Sequence, residues 1–192
     1  MSDTVSRRVV VGVSGASGIL YAKDLLETLR RSADVEVHLV ATDGARRVAS
    51  DELEVPFDEL ASLADVVHPN RDVGAAIASG SFRTAGMVVV PCSATTLSKV
   101  AHGICDNLLT RAAYVHLKER RPLILVPRET PVPLPTLEAM VKAAQAGATI
   151  LPASPGFYTR PKTIDDLLGF ITQRILDLLG IEAARAPRWK EG

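Results

Sequence analysis

Pro122-Leu123-Ile124-Leu125-Val126-Pro127 is an apolar run that ends directly in Arg128-Glu129-Thr130 and then Pro131. A strand with no polar position has no face to show to water, so it belongs in a sheet covered by helices on both sides, the setting of parallel strands. Its exit is where chemistry is expected. Arg128 offers a fixed cation there, and Glu129 a group able to give or take a proton. That equipment suits a phosphorylated ligand.

The flanking sequence repeats the pattern. Residues 9–13 are a β-branched run that enters Ser14-Gly15-Ala16-Ser17-Gly18, after which Ile19, Ala22, Leu26 and Leu29 recur at helical spacing. Residues 35–41 form a second strand, with Thr42-Asp43 as the N-cap of a helix through Val48. Residues 87–90 form a third, followed by Pro91-Cys92-Ser93-Ala94-Thr95-Thr96 and a helix closed by Gly103. Residues 148–151 supply a fifth strand, while residues 51–71 show little period and their fold is left open.

This alternation predicts right-handed βαβ units in one α/β domain over residues 1–192. The architecture expected is doubly wound, Rossmann-like or flavodoxin-like, with a mostly parallel sheet and helices on both faces. Ligands of such sheets bind beyond the carboxyl ends of the strands. Residues 15–18, Thr42, residues 93–96, residues 128–130 and residues 152–158 are therefore expected to share one edge.

Lysine plus arginine equals aspartate plus glutamate at 22 each, which argues against a general nucleic-acid or anionic-membrane binder. Cys92 and Cys105 are the only cysteines, with neither CxxC nor metal-ligand spacing, and Met1-Ser2-Asp3-Thr4 has no secretory character. A reducing cytoplasm is the expected compartment. The longest apolar runs fall far short of the roughly 20 residues of a membrane helix. Cys92 reads as a small buried residue rather than a nucleophile.

The first loop lacks the G-x-G-x-x-G spacing of dinucleotide sites. Its backbone N–H groups and the Ser17 hydroxyl can still approach an anion at a helix N-terminus, although a plain βα turn explains it as well. Ser93, Thr95 and Thr96 place three hydroxyls at another helix start, where a cap without a ligand is the simpler explanation of that loop alone. Two such loops on one edge favour a mononucleotide over two coincidental caps.

Residues 106–121 read as one helix, mostly buried against the domain or a partner. Arg111 sits amid its apolar stretch and Lys118 two turns on, on nearly the same face. A largely buried arginine requires an anion. Near the C-terminus Leu167, Ile171, Arg174 and Leu178 share one helix face. Arg174 either reaches solvent, pairs with Asp177 or another acid, or joins Tyr158 of Pro155-Gly156-Phe157-Tyr158 around a second phosphate.

GASG near the start, PCSATTLS, DNLLTRAA, LKERRPLILVPRETP, PGFYTRP and a terminal PRW together resemble the UbiX-like flavin prenyltransferases, within the flavoprotein Cys-decarboxylase-like fold group. The similarity runs essentially end to end. It implies transfer of a dimethylallyl group from dimethylallyl monophosphate to N5 and C6 of reduced FMN, making prenylated FMN for a UbiD-type decarboxylase. It also implies a homododecamer, with residues from about 180 to 192 packing on a neighbouring subunit.

On matching positions, the resemblance implies that Gly15, Ala16, Ser17, Thr42, Ser93, Ala94, Thr95, Thr96 and Arg128 contact FMN. Arg111, Lys118, Tyr158 and Arg174 would receive the prenyl phosphate, partly across subunit interfaces. Ser17, Glu52 and Glu129 are the candidates for proton handling, Lys118 for charge on the leaving group, and Trp189 for the allylic cation. No metal is expected. Pro135 stands where many relatives have histidine and Tyr114 where aspartate is common, and neither carries an assigned role. The competing readings are an FMN-dependent decarboxylase of cysteine or aromatic acids and an FMN-binding accessory subunit of a decarboxylase.

Overall fold

The structure, a computed structural model, describes residues 7–186. Strand β1 (Arg7–Val13) leads into helix α1 (Ile19–Arg30), then β2 (Val35–Ala41), α2 (Asp43–Glu52), α3 (Phe57–Ala61) and the short β3 (Val66–His68). A 3₁₀ turn (Ala76–Ala78) precedes β4 (Gly86–Cys92), α4 (Ala94–Ala101), α5 (Leu108–Lys118), β5 (Leu123–Pro127), α6 (Leu134–Gln145), β6 (Thr149–Ile150) and α7 (Ile164–Leu179). The strands form one sheet in the order β3-β2-β1-β4-β5-β6, and every pairing is parallel.

Every residue of β4 and β5 is buried, as continuous apolar strands require when both faces are covered. Val9, Val11 and Val13 of β1 pack with α1 and with Ile171, Ile175 and Leu176 of α7. Val10 packs on the opposite side, with Leu108 and Leu109 of α5 and Ala139 and Ala143 of α6. Two apolar cores thus sandwich the sheet, and α5 and α7 lie on opposite faces of it.

The expected doubly wound fold is present, with four corrections. A sixth strand, β3, lies in the stretch left open: three residues are too few to show a period, and β3 is fixed by partners distant in sequence. The Asp65 carboxylate accepts the Val37 N–H (2.7 Å), and His38 Nδ1 and His68 Nε2 share a hydrogen bond (2.9 Å). Helix α5 is shorter than residues 106–121, because Asn107 caps its start through the Thr110 N–H and Arg120 leaves the helix with φ 54°. Helix α2 continues past Val48 to Glu52. Strand β6 holds only residues 149–150 of the expected 148–151.

After α7, Gly180 adopts the left-handed conformation (φ 65°) that turns the chain back. Residues 181–186 then dock on their own chain. Gln173 Oε1 accepts the N–H groups of Arg185 and Ala186, while the Arg185 guanidinium pairs with Asp24 and Asp165. Of the stretch from about 180 to 192 that is expected to pack on a neighbouring subunit, residues 187–192, Trp189 among them, lie outside the described residues.

Candidate active site

Strands β1 and β4 are neighbours at the point where strand order reverses, so their carboxyl ends open a crevice. Two loops leave the sheet there and are joined by a residue that no sequence signal marks. Ser14, fully buried, donates its N–H (3.2 Å) and its hydroxyl (3.0 Å) to the Pro91 carbonyl, and its Oγ accepts the Ser93 N–H (2.7 Å). Gly44 is a second residue missed. A Cβ on Gly15 would come within 3.0 Å of Gly44 backbone atoms, so the loops after β1 and β2 touch backbone to backbone. Its place behind the Thr42-Asp43 cap was the available clue.

Helix starts supply the donors. Ser93 Oγ accepts the Thr96 N–H at α4, and Thr42 Oγ1 accepts the Ala45 N–H at α2. In each case the side chain takes one of the first-turn donors that a helix cannot satisfy internally. The N–H groups of Ala94 and Thr95, and of Asp43 and Gly44, find no acceptor among the described residues and are open to an outside one.

The start of α1 is different, because its first N–H groups already have an acceptor. Glu52, at the end of α2, accepts the N–H groups of Gly18 (2.8 Å) and Ile19 (2.9 Å), so this helix terminus already holds an anion belonging to the protein. Burial alone would raise the Glu52 carboxyl. The Ser17 hydroxyl, those two N–H groups and the Arg128 charge outweigh it and hold the carboxyl below its ordinary range. Arg128 in turn donates from Nε to the Ser17 carbonyl (3.0 Å). Burial pushes the adjoining Tyr21 phenol up, against the opposing charge of Arg128.

Ser17, Glu52 and Arg128 therefore form one cluster at the crevice. Glu129 is exposed beside it, its carboxylate accepting the Thr130 N–H (3.2 Å). A small-residue floor, four first-turn N–H groups and one guanidinium fit a phosphorylated flavin. Cys92 behaves as expected: it is buried, and burial drives its thiol to about 12.

The candidate ligands of a second phosphate are not assembled within one chain. On the single chain Arg111 is exposed, on an outward face of α5 with Tyr114 and Lys118, because Ala112, Ala113, Val115 and His116 take the inward positions. Lys118 Nζ pairs with Glu119. Helix α5 spans about 15 Å and ends one short turn before β5 begins, so Lys118 sits at the amino end of the sheet, opposite Glu129.

Arg174, exposed on α7, pairs with Asp177 at 3.2 Å, the simpler of the alternatives for it. Tyr158 packs edge-on against Phe170 (5.8 Å between rings), one helical turn from Arg174. Arg111 and Lys118 thus lie on one side of the sheet, and Tyr158 and Arg174 on the other.

A doubly wound sheet with open helix starts at its switch point defines a mononucleotide-binding α/β protein. The family model described as Flavoprotein matches residues 1–176, and the chain belongs to that family, among its UbiX-type flavin prenyltransferases. The flavin prenyltransferase UbiX of Deinococcus radiodurans is 57% identical over 193 residues, covering 100% of this chain and 98% of that protein. A crystal structure of AnUbiX in complex with FMN and dimethylallyl pyrophosphate superposes with a TM-score of 0.93 at 41% identity, over 97% of this chain and 98% of that one. A dodecameric FMN-dependent Ubix-like decarboxylase from Escherichia coli O157:H7 also gives 0.93, at 42% identity, over 95% of this chain and 99% of that one.

Proposed function

We propose that this chain is a flavin prenyltransferase that moves a dimethylallyl group from dimethylallyl monophosphate to N5 and C6 of reduced FMN. The observation that carries the reading is the crevice between β1 and β4, where Arg128, Ser17 and the open N–H groups of α2 and α4 converge, in a chain similar end to end to prenyltransferases. Gly15, Ala16, Ser17, Thr42, Ser93, Ala94, Thr95, Thr96 and Arg128 are the proposed FMN contacts.

Ionising an allylic phosphate separates a carbocation from its leaving group, so fixed cations around the phosphate stabilise charge that grows in the transition state. Arg111, Lys118 and Arg174, with the Tyr158 phenol, supply that environment. Their division between opposite faces supports a site completed by further copies of the chain, as in a homododecamer. Trp189 is proposed to face the allylic cation. Ser17 and Glu52 are proposed to act as one unit on protons, since the Ser17 hydroxyl helps to hold the Glu52 carboxyl in its ionised form. Glu129, at the rim, is proposed to serve the departing phosphate.

The product is proposed to pass to a UbiD-type decarboxylase, with the chain working in the cytoplasm. Among the described residues no helix is long and apolar enough to cross a membrane. The test is anaerobic incubation of the full chain with reduced FMN and dimethylallyl monophosphate, with and without a chelator. A flavin heavier by one C5 unit in both arms is expected. No such mass under verified reduction, or decarboxylation by the chain alone, overturns the reading.

A further inference from the structure

We infer that Ser14 is a positioning residue for the FMN crevice, setting the spacing between the loop that carries Ser17 and the loop that carries residues 93–96. The inference rests on the FMN reading above and extends it to a residue outside the contact set. The pairing between β1 and β4 runs from Val9 with Gly86 to Gly12 with Val89. Two residues further on, β4 reaches Pro91, which has no N–H to donate toward β1. Ser14 supplies the connection from its own side, with both N–H and hydroxyl directed to the Pro91 carbonyl.

The same hydroxyl oxygen accepts the Ser93 N–H at 2.7 Å. Ser93 is the cap of α4: its Oγ accepts from Thr96 N–H and donates to Thr96 Oγ1. On the other side the Ser14 carbonyl accepts the Ala16 N–H (2.8 Å), which fixes the turn leading to Ser17. One fully buried side chain therefore sets both lips of the crevice. Without its oxygen the Ser93 N–H loses its acceptor, and the first turn of α4 is released from β1 at the place where FMN must span both loops.

The experiment is FMN titration of the full chain as wild type, Ser14→Ala and Ser14→Thr, reading dissociation constant and stoichiometry separately. It is paired with KM for dimethylallyl monophosphate at saturating reduced FMN. Ser14→Ala is expected to weaken FMN on the order of 10-fold to 100-fold at full stoichiometry, with KM for the allylic phosphate unchanged. Ser14→Thr, which keeps the hydroxyl, restores binding. If Ser14→Ala does not fold, Ser14→Cys, of similar size but a weak hydrogen-bonding group, takes its place.

An unchanged dissociation constant, a loss confined to stoichiometry, or a threonine variant as weak as alanine overturns the inference. Wild type failing to bind FMN overturns the cofactor reading itself, and that outcome needs no variant to be seen.

Discussion

The Glu52 carboxylate, at the last residue of α2, accepts the Gly18 N–H at the first turn of α1 at 2.8 Å. It ties two helices together through a helix dipole and keeps one anion fixed beneath the crevice. Glu52→Gln retains an acceptor but not the charge, so a loss of about 1 kcal/mol is expected at pH 7. The folded carboxyl lies below its ordinary range. Its contribution is therefore complete above the unfolded value of about 4.3 and is lost as pH falls through the folded one. Denaturant unfolding of both proteins in steps from pH 7 into acid checks this: the gap between them narrows steadily below the unfolded value. A gap that persists would assign the effect to shape rather than charge.

What could be read beforehand follows from how local the physics is. Strands β4 and β5 are continuous apolar runs, β1 becomes one from Val9 and β2 from Leu39, and the caps Thr42 and Ser93 sit directly before their helices, so neighbouring residues carry most of the signal. Strand β3 depends on Asp65 and His68 meeting β2, contacts that cross 28 and 30 positions. Ser14 and Ser93 are 79 apart, and no period announces that bond. The exposure of Arg111 on the single chain has another reason. An arginine amid apolar residues reads as buried only if the helix is buried all round, and α5 keeps an outward face holding Arg111, Tyr114 and Lys118. Composition alone does not separate the two cases.

The division of the cations between the two faces of the sheet predicts complementation between inactive copies. Lys118→Ala and Arg174→Ala proteins are each expected to make no prenyl adduct. Mixed oligomers, obtained by co-expression, should regain measurable adduct formation, because some sites receive Lys118 from one copy and Arg174 from another. The check is flavin mass after anaerobic turnover of purified mixed oligomers. Silence from a verified mixed oligomer would mean that both residues reach the phosphate from the same copy.

Acid should loosen the seam between α5 and the segment before β4. His116 Nδ1 faces the Ala112 carbonyl (2.8 Å), so this nitrogen carries the proton and Nε2 accepts from the Thr84 hydroxyl (2.8 Å). Burial drives the imidazole down to about 4, with the nearby Arg121 charge adding to it. The unfolded chain, near 6.5, takes up the proton first. Stability is then complete above about 6.5 and declines as pH falls toward the folded value, by about 3 kcal/mol at most. His116→Gln should flatten the stability profile between these limits in urea unfolding. An unchanged slope would place the acid sensitivity at other groups.

The return of the chain after α7 depends on a glycine as much as on an ion pair. A Cβ at Gly169 would lie 3.0 Å from Arg185 Nη1 and 3.1 Å from the Arg185 carbonyl oxygen. The guanidinium could swing aside, but the carbonyl can move only by drawing residues 183–186 off α7. Asp24, buried to 6% exposure, would then keep the Thr172 hydroxyl and lose its charge partner. A buried carboxylate left without its cation is costly, so Gly169→Ala is expected to lose about 3 kcal/mol. Arg185, released from Asp24 and Asp165, should become a faster site of tryptic cleavage under native conditions. Equal stability together with unchanged cleavage would mean that the segment can shift along α7 without giving up the Asp24 contact, and the ion pair rather than the close approach would be the element that holds the end of the chain.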